Sequence, residues 1–387
     1  MVVRATISQT AQHIQEKVLM VGSLEETQRP VEIRRPEEPE PFTLNAQLLE
    51  ILIRAGASIR NPDVLPPVVR SDRRGRYLEL RIAKDPEDER SYEYVRRIQL
   101  DELDDETWNL LKEECAQIQL QACRDNGLKN ELEKIGDEKI RKFIYSLFMY
   151  LTPRQMVMVL YMHREASRRR SLVVDFAAND LLETLGYTRQ SDGSFPSKYR
   201  AQMHRDLVDI HRTEIYYTNQ LTKRDTKLIF KSIMRIKTVS LRNLPRDFDI
   251  MQAAEDGYGC ADSYTVELEP FDDIAGSVLF SGSFQFARQQ QCLHTSDDYA
   301  TRLLIFLGSR MRPHLLKEGK LLTVTKRTLY SRLELFGKNG GRNNKILWET
   351  IQELKDNHWI LGARELPKAA RTASIEFEIN LEKLRPL

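Results

Sequence analysis

Two stretches of this 387-residue chain, roughly residues 141–245 and 301–380, carry one layout, and that repetition limits the folds open to it. Each reads helix, helix closed by an apolar residue and glycine, polar loop, helix, then two strands. In the first, Leu185-Gly186 is followed by a loop to Pro196, a helix to His211 and strands. In the second, Phe336-Gly337 is followed by a loop to Arg342, a helix to His358 and strands. A helix that ends on glycine gains a left-handed cap, and a proline near the next helix start loses no hydrogen bond.

This order is that of a winged helix-turn-helix, in which the third helix enters a DNA groove and a hairpin flanks it. The expected fold is α+β, with two tandem winged helix-turn-helix domains preceded by a small α+β region and a disordered arm. Boundaries follow composition. Residues 1–42 are a flexible arm rich in proline and charge, as in Arg34-Arg35-Pro36-Glu37-Glu38-Pro39. Residues 43–135 form the small region of unknown role: a helix over 43–55, a turn at Asn61-Pro62 and Pro66-Pro67, strands near 77–82 and 92–95, and a helix over 103–124. The first winged domain spans 136–246, an acidic connector 247–298, and the second winged domain 299–387.

Charge alternates along the chain although the net value is only +2. Residues 85–140 hold 8 basic and 17 acidic groups, and 141–246 hold 20 and 9. Residues 247–299 hold 1 and 11, and 302–347 hold 11 and 2. Basic modules suit a polyanion, and acidic connectors limit non-specific adhesion. The plainer alternative is that these are ordinary solvated faces. Four cysteines, Cys115, Cys123, Cys260 and Cys292, form no C-x-x-C pair, which fits a reducing, cytoplasmic setting. No apolar run approaches a membrane span.

Helix 197–211 is the foremost candidate reader. Tyr199, Met203, Leu207 and Ile210 fall on one face at 100° per residue. Lys198, Arg205 and Arg212 recur on the opposite face beside Gln202, with Arg200 added to the candidate set. Arginine and lysine match guanine edges, and glutamine matches adenine. The expected wing pairs strands near 215–217 and 228–236 and presents Lys223, Arg224 and Lys227 to the backbone or minor groove. In the second module, Arg342, Asn343, Asn344 and Lys345 open helix 343–358, and Lys368 and Arg371 lie in its hairpin. Glu349, Gln352 and Asp356 leave the rest of that helix acidic, so packing or dimerisation competes there with DNA reading. No catalytic site is expected: there is no phosphate-binding glycine loop, and Asp247-Phe248-Asp249 lacks a third carboxylate. Neither a cofactor nor a metal is expected.

Over residues 141–380 the arrangement resembles the plasmid replication initiators that bind iteron repeats through two winged helices. The resemblance rests on Leu182 to Gly186 followed by helix 197–211, on Leu333 to Gly337 followed by helix 343–358, on the strand at Tyr264 and on the helix from Tyr299. It implies double-stranded DNA as partner, with Lys198, Gln202 and Arg205 reading bases and Arg342 to Lys345 serving the second module. It also implies host replication proteins such as a helicase, and a homodimer that represses its own gene. A transcription repressor and a structural adaptor without DNA are the alternative readings.

Overall fold

A computed structural model describes residues 41–57, 61, 63–73, 75–83, 94–100, 103–122, 151–220, 226–270, 276–281, 299–336, 339–369 and 372–387. The fold is α+β. The chain separates into two compact units: the first draws its described residues from 57–150, and the second from 38–56 and 151–387. All but the last two residues of the expected arm, the opening of the first module up to residue 150, and Lys223, Arg224 and Arg371 lie outside the described residues.

The first unit is a small antiparallel meander with one helix. Strands β2 (Val64–Asp72), β3 (Gly75–Ile82) and β4 (Tyr94–Gln99) pair in sequence. Helix α2 (Asp105–Ala122) packs through Trp108, Leu111, Cys115 and Ile118 onto Val64, Leu78 and Leu80. Pro66-Pro67, expected as a turn, lies within β2 at a register shift, which an outer strand tolerates because those positions need no ladder donor. Arg73 follows β2, and Gly75 and Arg76 open β3. Arg76 donates to the Leu103 carbonyl (3.0 Å), pairs with Asp105 and lies 5.3 Å over the Trp108 ring, so it ties helix to sheet. Burial, with Glu114 nearby, pushes the Cys115 thiol up to about 12, which marks it as packing.

The second unit holds two modules of like element order. The first comprises α3 (Pro153–Arg169), β5 (Val173–Ala177), α4 (Ala178–Thr184), α5 (Ser197–His211), β8 (Met234–Leu241) and β9 (Ala261–Leu268). Helix α3 opens with a capping box: Thr152 accepts from the Gln155 amide (3.2 Å) and Gln155 returns to the Thr152 amide (2.9 Å). Gly186 takes φ +80° after α4, as its position predicts. The sheet order is β5-β9-β8. The second module comprises α7 (Tyr299–Ser309), β12 (Leu321–Thr325), α8 (Lys326–Arg332), α9 (Gly340–Asp356), β13 (Ile360–Ala369) and β14 (Thr372–Ile379). Its strand order, β12-β14-β13 with the two-residue β11 (Leu316–Lys317) at the edge, repeats the first. In both, the strand after the first helix pairs with the last strand, and that strand pairs with the one before it.

Several sequence expectations are corrected. The helix expected to close on Leu185-Gly186 is short: Val173 to Ala177 alternate exposed and buried and pair with β9, and only 178–184 are helical. The flap of the first sheet is β8–β9. Strands β6 (Glu214–Gln220) and β7 (Thr226–Ser232) pair with each other and take no part in the β5-β9-β8 sheet, and the run expected through Ile236 breaks at Ile233. Strand β9, expected within the acidic connector, is therefore the central strand of the first module's sheet. Leu44 is not helical. It belongs to β1 (Phe42–Asn45), and α1 (Ala46–Ala55) follows with Asn45 as its cap. Gly340 and Gly341, expected in a turn, form the first turn of α9.

Strand β1 pairs with β10 (Ser277–Phe280), which pairs with β15 (Leu384–Pro386). Phe280 stacks on Phe42 (5.7 Å) and meets Trp359 edge-on (6.1 Å), and α1 packs along α7. This junction also buries charge. Both terminal nitrogens of Arg302 donate to the Gly56 carbonyl at 3.1 Å, and Arg312 pairs with Glu50 at 3.0 Å. Arg310 and Arg332 are buried too. Four of the cations behind the basic balance of 302–347 are thus interior groups, and that balance overstates what this module shows to a polyanion.

Candidate nucleic-acid interface

Helix α5 divides as its periodicity predicts. Met203, Leu207 and Ile210 are fully buried in the core. Lys198 and Arg212 are exposed, and Gln202 and Arg205 are partly exposed on the same face, together with Ala201 and Asp209. One open helix face therefore gathers Lys198, Gln202, Arg205 and Arg212.

A chain of polar contacts holds this face in place. Arg205 donates to the Gln202 amide oxygen (3.2 Å), and the Gln202 nitrogen donates to Asp206 Oδ1 (3.2 Å). Asp206 is buried, and its carboxylate meets Arg154 of α3 through Nη2 to Oδ1 (2.8 Å) and Nε to Oδ2 (2.6 Å). Burial works against the Arg154 charge, but the Asp206 carboxylate and the neighbouring Tyr187 outweigh it and hold the guanidinium firmly protonated. A buried ion pair thus sets the rotamers of two side chains that face outward. Lys198 lies 5.3 Å over the Tyr199 ring, and Tyr199 packs on Tyr187 (4.6 Å).

Arg200 is placed differently from its neighbours. It donates to the Ala261 carbonyl (3.0 Å) and to Asn179 Oδ1, clamping α5 to β9 and α4. That use is structural. Arg212 is exposed but lies 3.7 Å from Glu255, so a carboxylate already sits beside one of the four outward groups.

Glu255 belongs to the segment that links β8 to β9. This segment holds the short helix α6 (Ile250–Asp256) and a 3-10 turn at 257–259, and it packs against α5. Gly259 (φ +69°) makes the approach possible: a Cβ there would lie 2.6 Å from the Ser197 carbonyl oxygen. His204 closes the joint, with Nδ1 3.0 Å from the Tyr264 hydroxyl and Nε2 3.1 Å from the Ala254 carbonyl. Burial lowers the His204 pKa, against the Ala254 hydrogen bond and Asp256, which raise it. The cations of the β8–β9 flap are matched by acids: Lys237 with Glu267 (2.6 Å), Arg235 with Glu269 (3.4 Å) and Arg242 with Asp262 (2.9 Å).

The second module shows less to a polyanion. Arg342 is exposed at the start of α9, where the Asn339 side chain accepts its amide (3.0 Å). Lys345 is exposed and 3.9 Å from Glu349. Asn343 donates to the Leu335 carbonyl (3.2 Å), and Asn344 accepts from Lys326 (2.9 Å), so both serve the fold. Further along, Glu349, Gln352 and Asp356 are exposed, with Gln352 bonded to Asp356 at 2.7 Å. Lys227 lies in β7 and Lys368 in β13 by backbone position.

The residues that sequence reasoning missed are Arg154, Asp206 and His204. A carboxylate and an imidazole on the buried side of an amphipathic helix were the available signals, since such groups stay buried only with partners. Among the described residues no three His, Cys, Asp or Glu side chains gather as a metal site needs, and no helix is long and apolar enough to cross a membrane.

No family model and no curated protein matches the chain. Two solved structures of domains 2 and 3 of RctB are similar to it. One, spanning RctB 155–483, is 12% identical, covers 59% of this chain and 82% of its own, and superposes with a TM-score of 0.33. The other, of selenomethionine derivatives, is 10% identical, covers 59% and 81%, and has the same TM-score. Likeness at this level carries no functional argument.

Proposed function

We propose that this chain is a non-enzymatic, sequence-specific binder of double-stranded DNA that reads one groove with α5. The observation that carries the reading is the outward set Lys198, Gln202, Arg205 and Arg212 on a third helix whose back is core. Gln202 and Arg205 are ordered by an internal ion pair, so they lose little side-chain freedom on binding. The role that fits two winged modules in one chain is replication initiation on a plasmid or mobile element, with host replication proteins such as a helicase as further partners. The resemblance of layout supports this role. The second module contributes through Arg342 and Lys345 at the start of α9 rather than along its acidic length.

Selection from random duplex followed by footprinting tests the reading. Protection of several tandem direct repeats is expected; a single palindrome over a promoter would favour a repressor instead. Arg205→Ala should cost about 1–3 kcal/mol on the selected site and relax preference at one base pair. Unchanged specific binding by that variant would remove α5 as the reader. Affinity that did not fall with salt would remove DNA altogether.

A further inference from the structure

The first winged module carries two exposed apolar patches of opposite charge at opposite ends of one sheet. The first is a ledge on the β8–β9 link, formed by Phe248 (46% exposed), Ile250 (71%) and Met251 (69%). It is built rather than loose. Asp249 Oδ1 accepts from the Met251 and Gln252 amides (2.7 and 3.1 Å), and the Asp249 amide donates to the Tyr258 hydroxyl (3.1 Å). Gly259 and His204 seat the base of the ledge on α5. Residues 247–256 hold Asp247, Asp249, Glu255 and Asp256; against Arg246, which precedes them, and Arg212, 3.7 Å from Glu255, the ledge keeps a net negative charge. Such a surface repels phosphate, so DNA is not what covers it.

The second patch is the corner between α3 and β5, where Leu172 and Val173 are each 44% exposed. Arg164, Arg168, Arg169 and Arg170 precede them, and Glu165 is the one acid in that run. Arg168, Arg164 and Arg169 all reach the single Glu165 (2.7, 3.4 and 3.8 Å), and with Asp175 on the same strand face as Val173 the corner keeps a net positive charge. The nearby carboxylates Glu267 and Glu269 are already matched by Lys237 and Arg235.

Register fixes the separation of the two. Val173 pairs with Glu267, near the end of β9, whereas the ledge enters β9 at Ala261. Six residues of strand span roughly 20 Å. We propose that the occupant of the ledge is the α3–β5 corner of a second copy of this chain. Pairing like patches would oppose like charges, so the contact is head-to-tail. The two patches lie at opposite ends of one sheet, so a joined copy still offers a ledge at one end and a corner at the other, and the assembly grows past the dimer, as a filament or, where the rotation closes, as a larger ring. This inference goes beyond the DNA reading and does not need it, because its test contains no duplex.

The full chain is followed by sedimentation equilibrium at low salt, from about 1 µM to about 1 mM, the range suited to a small interface. Mass should grow with concentration past the dimer and shrink when salt screens the charges. The double variant Ile250→Ser/Met251→Ser should be monomeric, as should Leu172→Ser. Mixed in equal amounts, the two should form a dimer and nothing larger, since each keeps the one patch the other lacks. That rescue also shows that both variants fold. A wild type that stays monomeric, a wild type that stops at the dimer, variants that still associate, or a mixture that stays monomeric would each overturn the proposal.

Discussion

Removing Asp206 tests the internal support of the reading helix. The carboxylate is 4% exposed and its partner Arg154 11%, with contacts of 2.6 and 2.8 Å. Asp206→Ala leaves a guanidinium almost without solvent and without its counter-ion. Breaking a buried pair from one side costs about 3–5 kcal/mol, most of it the uncompensated charge. The double variant Arg154→Met/Asp206→Leu removes both charges and keeps volume, and should recover to within about 1 kcal/mol of wild type. Urea denaturation followed by circular dichroism measures all three proteins. The DNA readout is separate. In the folded double variant Gln202 loses its anchor and Arg205 is ordered less well, so affinity for the selected site should fall by up to about tenfold, about 1.4 kcal/mol. The salt slope should not change, because no phosphate-facing cation is touched. An Asp206→Ala cost below about 1 kcal/mol would refute the claim that this pair holds α5 to α3.

Three further outcomes are expected. Glu255→Gln frees Arg212 from its neighbour, so affinity for random duplex should rise a few-fold at low salt in a filter-binding assay, and no change would show that the 3.7 Å contact does not compete with phosphate. His204 has a folded pKa below its ordinary 6.5, so its contribution is complete above that value and is lost as pH falls through it. Urea midpoints should therefore drop between about pH 7 and pH 5 in wild type and drop less in His204→Gln. Gly341 opens α9 without a positive φ, and a Cβ there would meet only Asn339 Oδ1 at 3.7 Å; Gly341→Ala should stabilise the fold by about 0.5–1 kcal/mol in the same assay, and a loss would show that the turn needs glycine's freedom.

The elements that local chemistry defines were legible in the sequence. The periodicity of Met203, Leu207 and Ile210 and the stop at Gly186 each name a helix face or boundary from neighbouring residues alone. What failed depends on distant partners. Asp175 and Phe176 read equally as the start of a helix, and only pairing with β9 makes them part of a strand. The flap reads as 215–236 in the sequence because those strands are the first after α5, whereas pairing with β9 selects β8. Arg302 and Arg312 read as surface cations. Their burial follows from the Gly56 carbonyl and Glu50, some 250 residues earlier in the chain, which no local pattern reveals. The outward set on α5 was legible because it is a property of one helix; its support by Arg154 was not.

The strand order of the two modules bears on synthesis. In each sheet the last strand to leave the ribosome is the central one: β5 and β8 both hydrogen-bond to β9 and not to each other. The Asp175–Thr265 contact between β5 and β9 spans 90 positions. A nascent chain halted before residue 261 would therefore carry two unpaired strand edges with nothing between them, a state that invites aggregation and chaperone capture.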